Sequence, residues 1–269
     1  MMRRLWLPTA ALAVLCAGAP AVHALEPFKV FDRFTEKPLD PDRWAEGERI
    51  RAIKGGGLHL MQRSWGLSVS DFGLQFQNWS SNLVLPTAAT ALRSRINVTA
   101  LEVNACPANA SPAQARARII GSYFNIGTPV LGSQVGDAIA QIRLTRLSNS
   151  ADPAGVLRVQ GLLSICGSAD CNAAATVGNV VDLGTVAIGT PTVVQIQWDR
   201  GGKTFYFSRD QDAFAGTVAY AQADDLPPSV PFQQLSTRVD LPNCQSAPRV
   251  SSMVDARFDN VQVNQLALP

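Results

Sequence analysis

Histidine and glutamate are scarce in this chain. Its 269 residues include two histidines and only five glutamates, Glu26, Glu36, Glu46, Glu48 and Glu102. That starves most families of hydrolytic and metal-dependent chemistry, which draw on these side chains for proton transfer and ligation. Charge is also low, at 16% of residues, while 46% are hydrophobic, the opposite of the balance that keeps a chain disordered. A formal net charge of +2 excludes the strongly basic profile of a nucleic-acid binder. After the N-terminus no segment approaches the run of about 18 apolar residues that a membrane-spanning helix needs. Sustained 3.6-residue periodicity is missing too, which argues against a helical architecture.

What is present begins with an export signal. Arg3 and Arg4 precede an apolar stretch from Leu5 to Gly18, and Val22-His23-Ala24 supplies small residues where a signal peptidase reads them. Residues 1–24 are therefore predicted to be a cleaved signal peptide, leaving 25–269 as one secreted or periplasmic domain. Cys16 does not make a lipoprotein signal, because bulky Leu15 occupies the position before it. Cleavage removes Arg3 and Arg4, so the 23 basic residues fall by two and balance the 21 acidic ones. It also leaves His59 as the one histidine and four cysteines, Cys106, Cys166, Cys171 and Cys244. An even count in an exported chain reads as two disulfides. Four cysteines allow three pairings, and the short spacing favours Cys166–Cys171, which leaves Cys106–Cys244. The rival metal site lacks paired Cys-x-x-Cys knuckles and histidines.

Period-two alternation runs through the rest. Leu92, Ile96, Val98 and Ala100 oppose Arg93, Arg95, Asn97 and Thr99, and the parity flips at Leu101-Glu102-Val103, as at a bulge. Similar alternation marks Ala140–Thr145, Leu157–Ile165, Val194–Trp198, Phe205–Phe207 and Val254–Asp259. Arg200-Gly201-Gly202 reads as a hairpin turn between two of these. Strands dry on one face and wet on the other, separated by 20 glycines and 17 prolines, predict an all-β antiparallel fold, a two-sheet sandwich or a barrel. The loops are expected at 107–113, 128–136, 148–155, 167–178 and 224–231. No linker or internal repeat divides the chain.

Three segments resemble the concanavalin A-like lectin/glucanase superfamily. Phe31-Asp32-Arg33-Phe34, Leu39-Asp40-Pro41-Asp42-Arg43-Trp44 and Gly55-Gly56-Gly57-Leu58-His59-Leu60 are similar to the opening of secreted jelly rolls. Val194-Gln195-Ile196-Gln197-Trp198-Asp199 with Lys203-Thr204-Phe205-Tyr206-Phe207 is the second, and Ala256-Arg257-Phe258-Asp259-Asn260-Val261-Gln262-Val263 resembles a closing strand. The resemblance implies a jelly-roll sandwich with loops able to hold a glycan. It does not fix a function, since the superfamily spans lectins, carbohydrate-binding modules, glucanases and lyases. The laminarinase-like members place Glu-x-Asp-x-Glu or Glu-x-Asp-x-x-Glu on one strand, so that two carboxyls flank one bond. None of the five glutamates here stand four or five apart. Asp255-x-Arg257-x-Asp259 shares a strand face, but the intervening arginine is expected to keep both aspartates ionised in a surface ladder.

Other chemistries fare no better. Gly66-Leu67-Ser68-Val69-Ser70 misses the final glycine of a serine-hydrolase elbow, and His59 reads as a sheet-face residue. Gly55-Gly56-Gly57 lacks the context of a phosphate loop and reads as a turn. No cofactor motif appears. Asp32 and Asp259, on terminal strands that pair in related jelly rolls, are weak candidates for a structural calcium. The remaining candidates are Trp65 and Trp79 with Gln77 and Asn78, set among serines and amides, then Tyr123 and Asn125. Flat apolar rings beside amides suit the C–H face of a sugar. Phe72, Leu74 and Phe76 alternate as a core face, and Trp44 and Trp198 read as core. The sequence thus predicts a non-catalytic protein binding a glycan, such as a polysaccharide or cell-envelope glycan, or another extracellular polymer, with no nucleic-acid partner and no transmembrane segment. The alternatives are a structural or adhesive envelope protein and a polysaccharide-degrading enzyme with unfamiliar carboxylates. Oligomeric state is left open.

Overall fold

The computed structural model describes residues 38, 40–44, 47–84 and 89–264. The signal segment and Asp32 lie outside the described residues. Among the described residues thirteen strands follow in chain order: β1 (Glu48–Lys54), β2 (Gly57–Trp65), β3 (Leu74–Asn82), β4 (Ala91–Val103), β5 (Gln114–Asn125), β6 (Asp137–Leu147) and β7 (Val156–Cys166). Then come β8 (Ala174–Ala187), β9 (Thr192–Asp199), β10 (Thr204–Arg209), β11 (Phe214–Ala219), β12 (Gln233–Pro242) and β13 (Ser251–Val263). They form a seven-stranded sheet, β1-β2-β13-β4-β9-β10-β11, and a six-stranded sheet, β3-β12-β5-β6-β7-β8. Every pairing is antiparallel. This is a two-sheet antiparallel sandwich, one of the two architectures the alternation allows and the one the resemblance implies, with the closing strand β13 seated between β2 and β4.

Local sequence accounts for the turns and breaks. Gly55 and Gly56 join β1 to β2 with φ of 58° and 77°, the positive values a two-residue hairpin demands. Between β9 and β10 the positive φ falls on Lys203, at 48°, rather than on the preceding glycines. The parity flip in β4 is a bulge: Ala100 stands opposite Asp255, while Val98 stands opposite Ala256, leaving Thr99 unpaired. β8 starts at Ala174, inside the loop expected at 167–178.

The core lies between the sheets. Leu60, Leu92, Ile96, Ile119, Ile142, Leu144, Leu163 and the phenylalanines 124, 205, 207 and 258 are fully enclosed. Each contributes about 1.5–3 kcal/mol relative to exposure. Phe124, Trp198, Phe205 and Tyr220 stack at centroid distances of 4.9–6.4 Å and anchor one end. One polar bridge crosses the interior, where Gln62 Nε2 donates to Thr237 Oγ1 at 3.1 Å. Cys106 is bonded to Cys244 and Cys166 to Cys171. The former ties the β4–β5 loop to the segment after β12, and the latter clips the β7–β8 loop.

The expected core face of β3 is corrected. Phe72 is 78% exposed and Leu74 45% exposed. β3 is an edge strand preceded by a loop, and its sheet turns the opposite parity, with Trp79, toward the core.

Candidate functional site: an arginine-floored face

Strand parity places alternate residues of the six-stranded sheet on its outer face. On β5, Ala115, Ala117 and Ile119 enter the core, so Arg116 and Arg118 face outward. On β12, Leu235, Val239 and Leu241 enter the core, and Ser236, Arg238 and Asp240 face outward. Register then gathers what sequence spacing keeps apart. Arg238 stands opposite Arg116 on one side and Asn78 of β3 on the other. Arg118 stands between Ser236 and Arg143 of β6, and Arg143 stands opposite Gln160 of β7. Four guanidinium groups from three adjacent strands meet on one face.

That face is sunken rather than flat. Arg116 and Arg118 are each only 6% exposed, and with Asn78, Gln141 and Arg238 they line a cavity of about 270 Å³. The clipped loop contributes Asp170, Cys171 and Asn172 to its wall. A single carboxylate serves the arginines at the centre. Asp240 accepts from Arg238 Nε at 2.6 Å and Arg116 Nη2 at 3.2 Å. Arg118 has neutral acceptors instead: Ser236 Oγ at 2.8 Å, Asn78 Oδ1 at 2.9 Å and Gln141 Oε1 at 3.3 Å. Arg143 donates twice to Gln160 Oε1, at 3.0 and 3.2 Å. The buried Nε of Arg116 has no hydrogen-bond partner among the described residues.

The electrostatics follow from this arrangement. Burial pushes Arg116 down to about 9 despite Asp240, with Arg238 and Arg143 adding repulsion. Burial and then the Arg116 charge hold Arg118 well below the usual arginine range. Burial also lowers Arg143. At the rim, hydrogen bonds from the Ser168 hydroxyl and the Asn172 amide keep Asp170 below the ordinary carboxylate range, hence ionised.

The residues expected from sequence scatter. Asn78 belongs to the arginine face. Trp65 and Gln77 line a separate cavity of about 250 Å³ with Trp44, Arg49 and Arg249. Trp79 packs against the core; its indole N–H donates to the Ile50 carbonyl at 2.8 Å, and Arg49 and Arg51 lie 5.6 and 5.1 Å from its ring. Tyr123 is buried edge-on against Trp198 and Phe205, and burial raises its phenol. Asn125 is buried and structural: its amide donates to Asp137, Val135 and Ser229 at 2.7–3.0 Å, and its oxygen accepts from Gly127 N. Neither Tyr123 nor Asn125 offers a surface to a ligand. Trp198 is partly buried against the core, as expected.

The charged candidates on the other sheet are also accounted for. Asp259 accepts from Arg95 on both oxygens, at 2.6 and 2.8 Å; the other suggested calcium ligand, Asp32, lies outside the described residues. Asp255 pairs with His59 Nε2 at 2.8 Å. The two aspartates thus hold cross-strand partners rather than the intervening Arg257 on which the expected ladder was built. The residues directly opposite His59 are Ala52 and Arg257, neither of them a nucleophile. Asp71 approaches Cys106 and Cys244, but those sulfurs are bonded to each other; the carboxylate instead accepts from the Gln245 and Ser246 amides.

No protein-family model matches this sequence, and no curated protein matches it. Solved structures do align with the fold. Basic winged bean lectin in complex with Tn-antigen is 11% identical, with 79% of this chain and 90% of that one covered and a TM-score of 0.35. The Emp47p carbohydrate recognition domain is 8% identical, covering 80% and 87%, with a TM-score of 0.33. The CBM2 module of the evolved Dit of Lactobacillus casei BL23 phage J-1 is 12% identical, covering 80% of each chain, with a TM-score of 0.32. Likeness at that level carries nothing about ligand or site; the two-sheet sandwich rests on the strand order itself.

Proposed function

We propose that the chain is an exported, non-catalytic binding module that takes a glycan on the outer face of its six-stranded sheet. The observation that carries this reading is the depression itself. It is floored by planar donors and acceptors, Asn78, Gln141 and the guanidinium groups, contributed by adjacent strands. Sugars are recognised by such rigidly held amide and guanidinium groups. Glycoside hydrolysis by the usual route requires two carboxyls flanking the bond. Asp170 is the one carboxylate lining this cavity, it is ionised, and Asp240 is tied to two arginines. The two disulfides are compatible with an extracellular protein. Among the described residues no helix is long and apolar enough to cross a membrane.

The test is a polysaccharide panel read with wild type, an Asn78→Ala/Gln141→Ala variant and a Trp65→Ala variant. Binding that survives Trp65→Ala and fails in the double variant supports the sheet face. Binding lost only with Trp65 would move the site to the end cavity, and no binding to any polysaccharide would discard the reading. Intact mass of the exported protein should show a chain starting at Leu25 and lighter by four hydrogens than the reduced form.

A further inference from the structure

Resting on that reading, we infer that the ligand is an acidic polysaccharide, and that a carboxylate or sulfate substituent sits against Arg116 and Arg118 in the cavity, with Arg143 next to Arg118 in register. A buried cation ordinarily carries its counter-charge with it, because desolvation of an unpaired ion costs more than its neutral hydrogen bonds return. Here Asp240 is shared by Arg116 and Arg238, while Arg118 and Arg143 end on amides and a hydroxyl. A structural arginine cluster would balance its charges internally. This one, four guanidinium groups against Asp240 at the centre and Asp170 at the rim, is short of negative charge, and Arg116, Arg118 and Arg238 line an open cavity, so an external anion completes it.

The depressed guanidinium groups agree with this, since a bound anion would restore the stability of their charged forms.

Geometry narrows the class. Guanidinium forks pair with planar or tetrahedral oxyanions through parallel N–H bonds. The cavity, at about 270 Å³, is smaller than the pockets of about 300–1,000 Å³ that enclose drug-sized ligands, so it suits one substituent or ring of a chain running across the open face. Single-stranded nucleic acid would need aromatic platforms for its bases. Of the two aromatic rings nearby, Phe76 lies under Arg238 at 4.4 Å and Phe232 packs into the Ile120–Ile139–Cys166 cluster. The phosphate chemistry is met but the bases are not, so the polysaccharide is the better occupant.

The experiment pairs matched polymers against the intact mature protein by calorimetry: polygalacturonate against its carboxyl-reduced form, and dextran sulfate against dextran. Thymidine homopolymer serves as the nucleic-acid arm. At least one acidic polymer should bind tenfold or more tightly than its neutral match, and the arm that does so tells carboxylate from sulfate. Arg118→Gln and Arg143→Gln should each weaken that binding about tenfold, with Arg118→Lys intermediate because it keeps the charge and loses the fork. Thermal melts confirm that each variant is folded, and two independent arginines keep the test valid if one variant fails. Equal binding to acidic and neutral partners would overturn this inference and leave glycan binding standing. So would acidic binding indifferent to both arginines, or tighter, arginine-dependent binding of thymidine homopolymer. Binding to none of the polymers would overturn both.

Discussion

Replacing Arg118 by methionine should make the free protein more stable. Methionine keeps an unbranched stem of similar length, so packing along the strand is retained. What disappears is a guanidinium that is 6% exposed and bonded to Ser236, Asn78 and Gln141. Three hydrogen bonds from a charged donor are worth about 1.5–3 kcal/mol each at most, and two of the released acceptors border the cavity, where water can replace the donor. Against that stand two larger costs of keeping the charge. Two unit charges about 6 Å apart repel by about 3 kcal/mol at an effective dielectric of about 20. Arg116, Arg238 and Arg143 all repel Arg118 in this way, each according to its distance, offset in part by Asp240. Desolvation adds several kcal/mol more. The difference favours the variant by about 1–3 kcal/mol, within the range seen when buried charges give way to apolar residues. Urea unfolding followed by tryptophan fluorescence, without polyanion, measures it. Arg95→Met, which breaks an exposed pair with Asp259, serves as the reference and should change stability little. A loss of about 3 kcal/mol or more in the Arg118 variant would refute the reasoning, because it would make the arginine a structural keystone rather than a charge held ready for a ligand.

Three further outcomes follow from the fold. Loop entropy over a separation of 138 residues predicts that removing Cys106–Cys244 costs about 5 kcal/mol, against about 2 kcal/mol for Cys166–Cys171 with its separation of 5; paired Cys→Ala variants in denaturant melts should preserve that order. Gly161→Ala should destabilise by about 1–3 kcal/mol in the same melts, since an added Cβ would meet Phe207 Cγ at 2.5 Å. Tyr220, which accepts from the Trp198 indole and donates to Asp224, is pushed up to about 12 from 10.0, first by burial. The unfolded state loses that proton first, so the contribution is complete below pH 10 and declines as pH rises through about 12. Stability measured from pH 9 to 12 should therefore fall less steeply in Tyr220→Phe than in wild type.

Much of the sandwich was legible because alternation is a local property. Leu92, Ile96 and Val98 specify which face of β4 is buried, and the flip after Ala100 marks its bulge. The same rule misled at β3, where Phe72 and Leu74 look like a core face but flank an edge strand whose buried parity holds Trp79. The site was only half legible. Gln114-Ala115-Arg116-Ala117-Arg118 announces two arginines on one strand face, yet alternate charges read as a solvated surface. Their burial comes from a depression and a clipped loop, and their company, Arg143 and Arg238, comes from register with strands distant in sequence. Neither is a local property. Tryptophan drew attention for its chemistry, while Trp65 and Trp79 were turned to a separate end cavity and to the core margin.

The most direct test is a titration of ¹⁵N-labelled protein with an oligogalacturonate, watching the arginine Nε–Hε resonances. Shifts at Arg116, Arg118 and Arg143, with Trp44 and Trp65 unchanged, are what an anion seated on the six-stranded sheet predicts. Shifts confined to Trp44, Trp65 and Arg249, with the arginine face silent, would contradict it.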